Sequence, residues 1–504
     1  MMSFVSFTFI LFLGMTFFTY FISPLRMQWL VLLVFSLLYY YLCSHKLLIV
    51  LLAVSLFTYL CARIIDQTQD KKKRKIITNC GIAIVLLDLV VFKYSDFLIE
   101  NINALFHGNI SLLKLSLPLG ISYFTLQAIS YLIDVNKKKA EPEKNYFRFL
   151  LYMAYFPQIV QGPIPKYKEL SGQLYEGHEF DYKRICHGLQ LMLWGIAKKI
   201  ILADRLGVAV SQIFDHYTDY HGLFVFFGVV CYGFQIYADF SGGIDTIRGI
   251  SEVFGITLRE NFSQPYYAHS VEEFWRRWHI SLGAWMREYV FYPLSLSKRL
   301  NKTGKRLVNV FGKTFSRKYA PFSAMFIVYL LVGIWHGADW KYVVYGLWNG
   351  IFIMNGILFE DRFKMMREHF SVNEDTKWFS YFQMFRTFMI VSFGRLISRA
   401  SSLSAAVGMF KAIFKDLFVF SDFNLETLVS LGLNLREWIL CLIAIVIILY
   451  IDHLKEKGIK IRENISNKKI AIRWAYYFLL IMAILIFGKY GPGYEAANFI
   501  YGKF

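Results

Sequence analysis

Long apolar runs alternate along the chain with short polar stretches. The apolar segments fall near residues 3–23, 27–43, 47–65, 76–95, 115–135, 147–163, 187–212, 222–245, 320–336, 341–359, 381–398, 434–452 and 473–489. Many reach the roughly 17–25 residues with which a helix crosses a hydrocarbon core. Their unbroken character differs from the period-two alternation of an outer-membrane barrel, so helices are the predicted spanning elements. Some runs are too short or too polar to cross alone. The pattern predicts an all-α integral membrane protein, a polytopic helical bundle of about ten to twelve spans with re-entrant and interfacial helices around a central tunnel.

Texture divides the chain into three parts of one integrated membrane domain: N-terminal transmembrane helices over 1–114, a central core over 115–350, and C-terminal transmembrane helices over 351–504. The core's apolar runs are interrupted by Pro118, Gly120, Pro157, Gln161, Gly162, Pro163, Gln235, Asp239, Gly242 and Gly243. Broken helices and buried polar groups are tolerated at membrane depth where protein packs around them or a watery cavity is lined. The functional site is expected there. Residues 361–378 and 453–470 read as charged, solvated loops.

Composition agrees with a membrane protein. Of 504 residues 56% are hydrophobic and 18% aromatic, too little polar surface to cover a soluble globule. The formal charge of +19 does not point to nucleic acid, because the basic residues cluster between apolar segments, as retention of Lys and Arg in cytoplasmic loops requires. Lys71–Lys75 follows the third segment and Lys137–Lys139 the fifth, two spans later. Both lie in the cytoplasm if the N-terminus is outside. The start lacks the basic region of a cleaved signal and reads as a retained helix. Six well-separated cysteines show no paired ligand spacing and read as small buried apolar residues, with no metal site expected.

Against this background a few polar residues stand out. His336 closes the apolar run that opens near Ala320, in Trp335-His336-Gly337. An intramembrane imidazole must be hydrogen-bonded, paired or used, and with an ordinary pKa of about 6.5 it can take and return a proton at neutral pH. A second constellation runs from Glu272 to Tyr289. At helical spacing Trp275, Trp278, His279 and Leu282 share one face, while Glu273, Arg277 and Ser281 lie towards another, which predicts an amphipathic interfacial helix. Asp239 is costly to bury unpaired and needs an Arg, a Tyr hydroxyl or helix-end amides. Gln161 and Gln235 can hydrogen-bond a substrate or a neighbouring helix. Arg276, Arg277 and Arg287, with Lys198 and Lys199, suit phosphate contacts if they face the cytoplasm, and equally suit positive-inside retention.

The Glu272–Tyr289 pattern, the Tyr289-Val290-Phe291-Tyr292-Pro293-Leu294 that closes it and the later Trp-His-Gly together resemble the membrane-bound O-acyltransferase (MBOAT) family, in its bacterial alginate O-acetylation branch. Leu117–Gln127, Phe156–Ile164, Tyr237–Gly242, Asn261–Tyr266 and the C-terminal Phe499–Phe504 fit that branch in the same order. The resemblance implies that His336 and His279 are the family's signature histidines. It also implies a catalytic 115–350 core that moves an acetyl group from a cytoplasmic thioester, acetyl-CoA being the expected donor, towards a cell-surface or secreted polysaccharide. An extracytoplasmic SGNH-type acetyltransferase is the implied partner and the bacterial cytoplasmic membrane the implied location. No tightly bound cofactor and no metal are implied.

On residue chemistry, His336 would deprotonate the acceptor hydroxyl or hold the acyl group, since a histidine can do either. His279 would polarise the thioester carbonyl, orient the acceptor or anchor its helix. Trp335, Trp278, Asp239, Gln161, Gln235, Arg276 and Arg277 are the substrate-binding candidates. Three alternatives stay open: a D-alanyl transferase for teichoic acid fed by a phosphopantetheinyl carrier protein, a polar-solute transporter, and a non-catalytic scaffold.

Overall fold

The computed structural model describes residues 2–420 and 424–490, so the Phe499–Phe504 stretch lies outside the described residues. Among the described residues seven helical stretches are long and apolar enough to cross a membrane, or eight if the bent pair Trp340–Leu358 and Glu360–His369 forms one span. One of them, Leu25–Gln67, holds two helices, Gln28–Ser44 and Leu48–Gln67. The chain is therefore an all-α, multi-pass membrane protein. The expected ten to twelve spans included segments that are built as shorter helices, among them Phe7–Ile22, Ile121–Asn136 and Tyr146–Ala154. Residues 361–378, expected as a loop, carry most of the Glu360–His369 helix, which bends 65° from its predecessor. The cysteines also divide: Cys61, Cys231 and Cys441 are buried as expected, but Cys80 is exposed on an apolar helix.

The chain forms two compact units. The first comprises Met1–Ala197, Phe240–Arg259 and Arg462–Phe504. Its helices start where side chains satisfy the free backbone amides of a first turn. Ser6 accepts from Phe9 N ahead of Phe7–Ile22, Asp70 from Lys72 N ahead of Lys71–Leu89, and Asn145 from Phe147 N ahead of Tyr146–Ala154. Phe9, Phe12, Tyr39 and Phe156 pack into one aromatic cluster with ring centroids 5.4–6.1 Å apart. Small residues bring backbones together: a Cβ on Gly195 would stand 2.4 Å from Gly242 O, and one on Gly188 2.6 Å from Gly249 O.

The second unit comprises Lys198–Asp239 and Glu260–Ile461. Its central feature is a helical hairpin. The first arm, Val308–His336, is kinked at Gly312 and carries Pro321 inside; the second arm, Trp340–Leu358, is capped by the Asp339 carboxylate accepting from Lys341 N. Gly333 and Gly346 let the arms approach closely, because a Cβ on Gly333 would stand 2.5 Å from Tyr342 O and one on Gly346 2.3 Å from Tyr329 O. This crossing holds His336, the last residue of the first arm, against the second.

Gly346→Ala should thus lower the thermal midpoint of the detergent-purified protein, by an amount corresponding to about 1–3 kcal/mol of overpacking. Gly356→Ala, in the same helix with no atom within 4 Å of an added Cβ, should leave the midpoint unchanged or raise it slightly. Equal effects from both substitutions would refute the close crossing.

Candidate active site

The Glu272–Tyr289 stretch is not the continuous interfacial helix that its periodicity predicts. Ser270 Oγ accepts from Glu273 N and starts a helix over Val271–Arg277. Trp278 is then extended, His279 turns left-handed at φ 48°, ψ 52°, and a second helix begins at Ile280. The cause lies in a distant stretch. Phe262 forms an antiparallel bridge with Trp278, Ser263 N donates to Arg277 O at 3.0 Å, and Ile280 N donates to Asn261 O at 3.1 Å. Asn261 Oδ1 accepts from Ser281 N at 2.8 Å and stands 3.4 Å from His279 Nδ1. These bonds serve backbone groups that a continuous helix would pair internally, and they hold His279 in a conformation that a non-glycine residue rarely adopts.

The break brings together residues that the sequence lists separately. Trp335 touches both imidazoles, its ring centroid 5.9 Å from His279 and 5.1 Å from His336. Tyr345, from the second arm of the hairpin, stands 5.5 Å from His336. One turn further, Asn349 Oδ1 accepts from Trp275 Nε1 at 3.3 Å and ties the Val271–Arg277 helix to that arm. His279 and His336 are 2% and 3% exposed, so both rings are withdrawn from solvent, and both Nε2 atoms are buried. Asn261 Oδ1 faces the Ser281 amide and is therefore an acceptor, which assigns the His279 proton to Nδ1 and the lone pair to Nε2. Burial, reinforced by the neighbouring His336, lowers the His279 pKa from its ordinary value to about 3. At neutral pH His279 is a neutral imidazole.

Arg395 is a site residue that the sequence reading missed. It lies in the Lys377–Arg399 helix, 2% exposed, with its guanidinium carbon 4.1 Å from the Trp278 ring centroid, 5.2 Å from Phe274 and 5.7 Å from Tyr266. Its Nη1 donates to the Tyr266 hydroxyl at 2.8 Å. A planar cation over ring faces is held by their quadrupoles, and here it presses on the residue next to His279. The available signal was an ionisable residue inside the apolar 381–398 run, the criterion that singled out His336.

The other candidates have separate local roles. Asp239 does find a partner, a lysine: Lys199 Nζ stands 2.6 Å from Asp239 and 2.9 Å from Asp204, all three side chains buried. With its charge spent between two carboxylates, Lys199 is not available for the phosphate contact that the sequence left open beside positive-inside retention; Lys198 is buried as well. Arg277 meets Glu456 at 2.7 and 2.9 Å and Glu273 at 3.0 Å, and Arg276 pairs with Glu272 on the surface. Gln235 lies against Gly207, where an added Cβ would meet its Nε2 at 2.9 Å. Gln161 belongs to the first unit and is fully buried there.

Residues 35–313 match the family model described as MBOAT, membrane-bound O-acyltransferase family. The chain belongs to that family. Three relatives extend the match across the chain. The probable alginate O-acetylase AlgI of Pseudomonas aeruginosa is 30% identical over 70% of this chain and 63% of its own length. The protein of that name from Azotobacter vinelandii is 30% identical over 84% of this chain and 79% of its own. The peptidoglycan O-acetyltransferase of Helicobacter pylori is 29% identical over 76% and 73% respectively. The chain thus spans under two thirds of the P. aeruginosa protein. The stretch matching the MBOAT model contains His279, Trp278, Asp239 and Gln161, whereas Trp335, His336 and Arg395 follow it.

Two outcomes follow from the site's electrostatics. An unfolded histidine titrates near 6.5, so as pH falls the unfolded chain takes up a proton that folded His279 refuses until about 3. The associated stability is present above pH 6.5 and is lost as pH falls towards 3, about 2 kcal/mol of it between pH 7 and 5. The thermal midpoint of the purified protein should therefore drop over that range more in wild type than in His279→Gln, and equal drops would contradict the burial argument. Lys199→Met, which leaves two carboxylates face to face, should cost about 3–5 kcal/mol. Arg276→Ala, which breaks a surface pair, should cost no more than about 1 kcal/mol in the same melting experiment.

Proposed function

We propose that this chain is a membrane O-acetyltransferase, with His336 and His279 at its catalytic centre. The observation that carries the proposal is the pair of buried imidazoles packed against the same Trp335 ring in a member of the MBOAT family. The names of the relatives, alginate O-acetylase and peptidoglycan O-acetyltransferase, support acetyl transfer to a polysaccharide hydroxyl. The donor in this reading is a cytoplasmic thioester, acetyl-CoA. The protein sits in the bacterial cytoplasmic membrane with its N-terminus outside, and the acetyl group passes outward to a cell-surface or secreted polysaccharide, with an extracytoplasmic SGNH-type acetyltransferase as partner.

The chemistry asked of the pair is modest. The acceptor hydroxyl loses its proton to His336, its oxygen bonds to the acetyl carbon, the carbon–sulfur bond breaks, and the proton passes to the departing thiolate to give free thiol. His279, neutral with a lone pair on Nε2, orients the reacting groups. Water is held away by the burial of both rings, which protects the thioester from hydrolysis.

The test is transfer of radiolabelled acetyl from acetyl-CoA to polysaccharide in membranes carrying wild type, His336→Ala or His279→Ala. Loss of His336 should reduce transfer by roughly 10²–10⁴-fold, the usual worth of a positioned acid–base group, and loss of His279 by less. Transfer from D-alanyl carrier protein in place of acetyl-CoA would give the chain the teichoic acid role. Equal transfer by wild type and His336→Ala would overturn the catalytic reading.

A further inference from the structure

In the second unit the stretch between Glu288 and Asp339 holds eight Lys and Arg residues and no acidic one. Ser297 Oγ accepts from Leu300 N at 3.2 Å and starts a helix over Lys298–Arg306, which the Val308–His336 arm follows at once. The two helices pack closely: a Cβ on Gly304 would stand 2.8 Å from Ser316 O, and Ser316 Oγ donates to Gly304 O. Leu300, Thr303, Gly304 and Leu307, at helical spacings of three and four, are wholly or partly covered, while Lys298, Arg299, Lys302, Lys305 and Arg306 are exposed. Lys313 and Arg317 carry the exposed cations on to the start of the apolar Phe315–His336 stretch.

Within the chain this arrangement is unfavourable. Lys298 and Arg299 stand in a first turn, where free backbone amides favour acidic side chains, and the turn has none. Lys298 with Lys302, and Lys302 with Arg306, are like charges four residues apart, which destabilise a helix. Among the described residues none of the seven exposed cations meets a carboxylate, whereas Arg276, Arg277, Arg367 and Arg399 of the same unit each do. Counter-charge must come from elsewhere, and the place of the helix says in what form. Its five cations spread along about 13 Å of axis, too far for one compact anion to face them all. The basic run gives way to a stretch apolar enough to cross a membrane, and Leu296 and Val310 stand exposed on either side of the helix. A plane of phosphates with an apolar layer beneath it matches that combination.

We propose that the exposed face of Lys298–Arg306, continued by Lys313 and Arg317, docks on the anionic phospholipid headgroups of the adjoining leaflet. Gly304 locks this helix to the arm that ends in His336, so the contact fixes where that arm begins in the membrane. The contact is independent of which acyl group is transferred.

The experiment places the full chain in nanodiscs of phosphatidylcholine, alone or mixed equally with phosphatidylglycerol, and measures thermal midpoints. Wild type should melt several degrees higher in the mixed discs, and added salt should shrink the difference by screening exposed charge. The triple substitution Lys298→Gln, Lys302→Gln and Lys305→Gln should lose most of that difference. Its midpoint in phosphatidylcholine should hold or rise, because like-charge repulsion has been removed. Lys→Arg at the same positions should keep the difference. So should a control that removes as many exposed cations from the first unit, Lys71→Gln, Lys72→Gln and Lys73→Gln. Equal melting of wild type in the two kinds of disc overturns the docking surface, as does a triple glutamine variant that keeps the difference or a control that loses it. Acetyl-CoA or pyrophosphate that raises the midpoint of wild type but not of the variant in phosphatidylcholine discs would assign the face to soluble phosphate and overturn the lipid contact.

Discussion

The arrangement of the second unit depends on one carboxamide. Asn261 Oδ1 receives the Ser281 amide at 2.8 Å and the Asn261 backbone carbonyl receives the Ile280 amide at 3.1 Å, so two N–H groups at the start of a helix are served from a residue nineteen and twenty positions earlier. Without that service the cheapest conformation for 270–286 is a continuous helix, in which 3.6-residue periodicity sets where every ring points. With it, the chain reverses at His279, Trp278 pairs with Phe262, and the imidazole lies against Trp335. Local strain at a left-handed histidine is tolerated because bonds on both sides over-determine it.

The same economy governs the charged groups. A membrane interior gives no water to an ion, so each buried charge must find compensation within the protein. Lys199 does so between Asp239 and Asp204, and Arg395 between three aromatic faces and the Tyr266 hydroxyl. These two solutions differ in consequence. The lysine cluster is closed, its cation already facing two carboxylates. Arg395 is bonded through Nη1 and leans on Trp278, so the guanidinium fixes the ring beside His279 by packing as much as by charge.

What the sequence disclosed follows from which forces are local. Apolar run lengths gave a polytopic helical protein, and an imidazole at the end of such a run gave His336, because both depend on residues adjacent in sequence. Asp239 was recognised as needing a partner, but the partner was sought among arginines and tyrosines. For Lys199 the sequence leaves phosphate contact and positive-inside retention open, and only the fold of Lys198–Ala203 brings its amine to the carboxylates. The interfacial helix was misread for a related reason: helical periodicity over Glu272–Tyr289 is genuine, but the competing bonds come from Asn261 and Ser263, and no periodicity within the segment registers them. Arg395 carried the same signal as His336 and was passed over inside a run that looked like one more span.

The electrostatics of the imidazole pair bear on how the proposed reaction divides its labour. His279 spends its Nδ1 proton on Asn261 and is held neutral far below physiological pH, so it offers a lone pair and no second proton. His336 lies near enough for its charge to oppose protonation of His279. In the proposed reaction, with His279 held in its left-handed turn by bonds to Asn261, the proton taken from an acceptor hydroxyl would go to His336, and the fixed ring would supply the geometry against which that transfer occurs. Catalysis arranged this way would need no charge at rest on His279, which removes the desolvation cost of burying an imidazolium there before any substrate arrives.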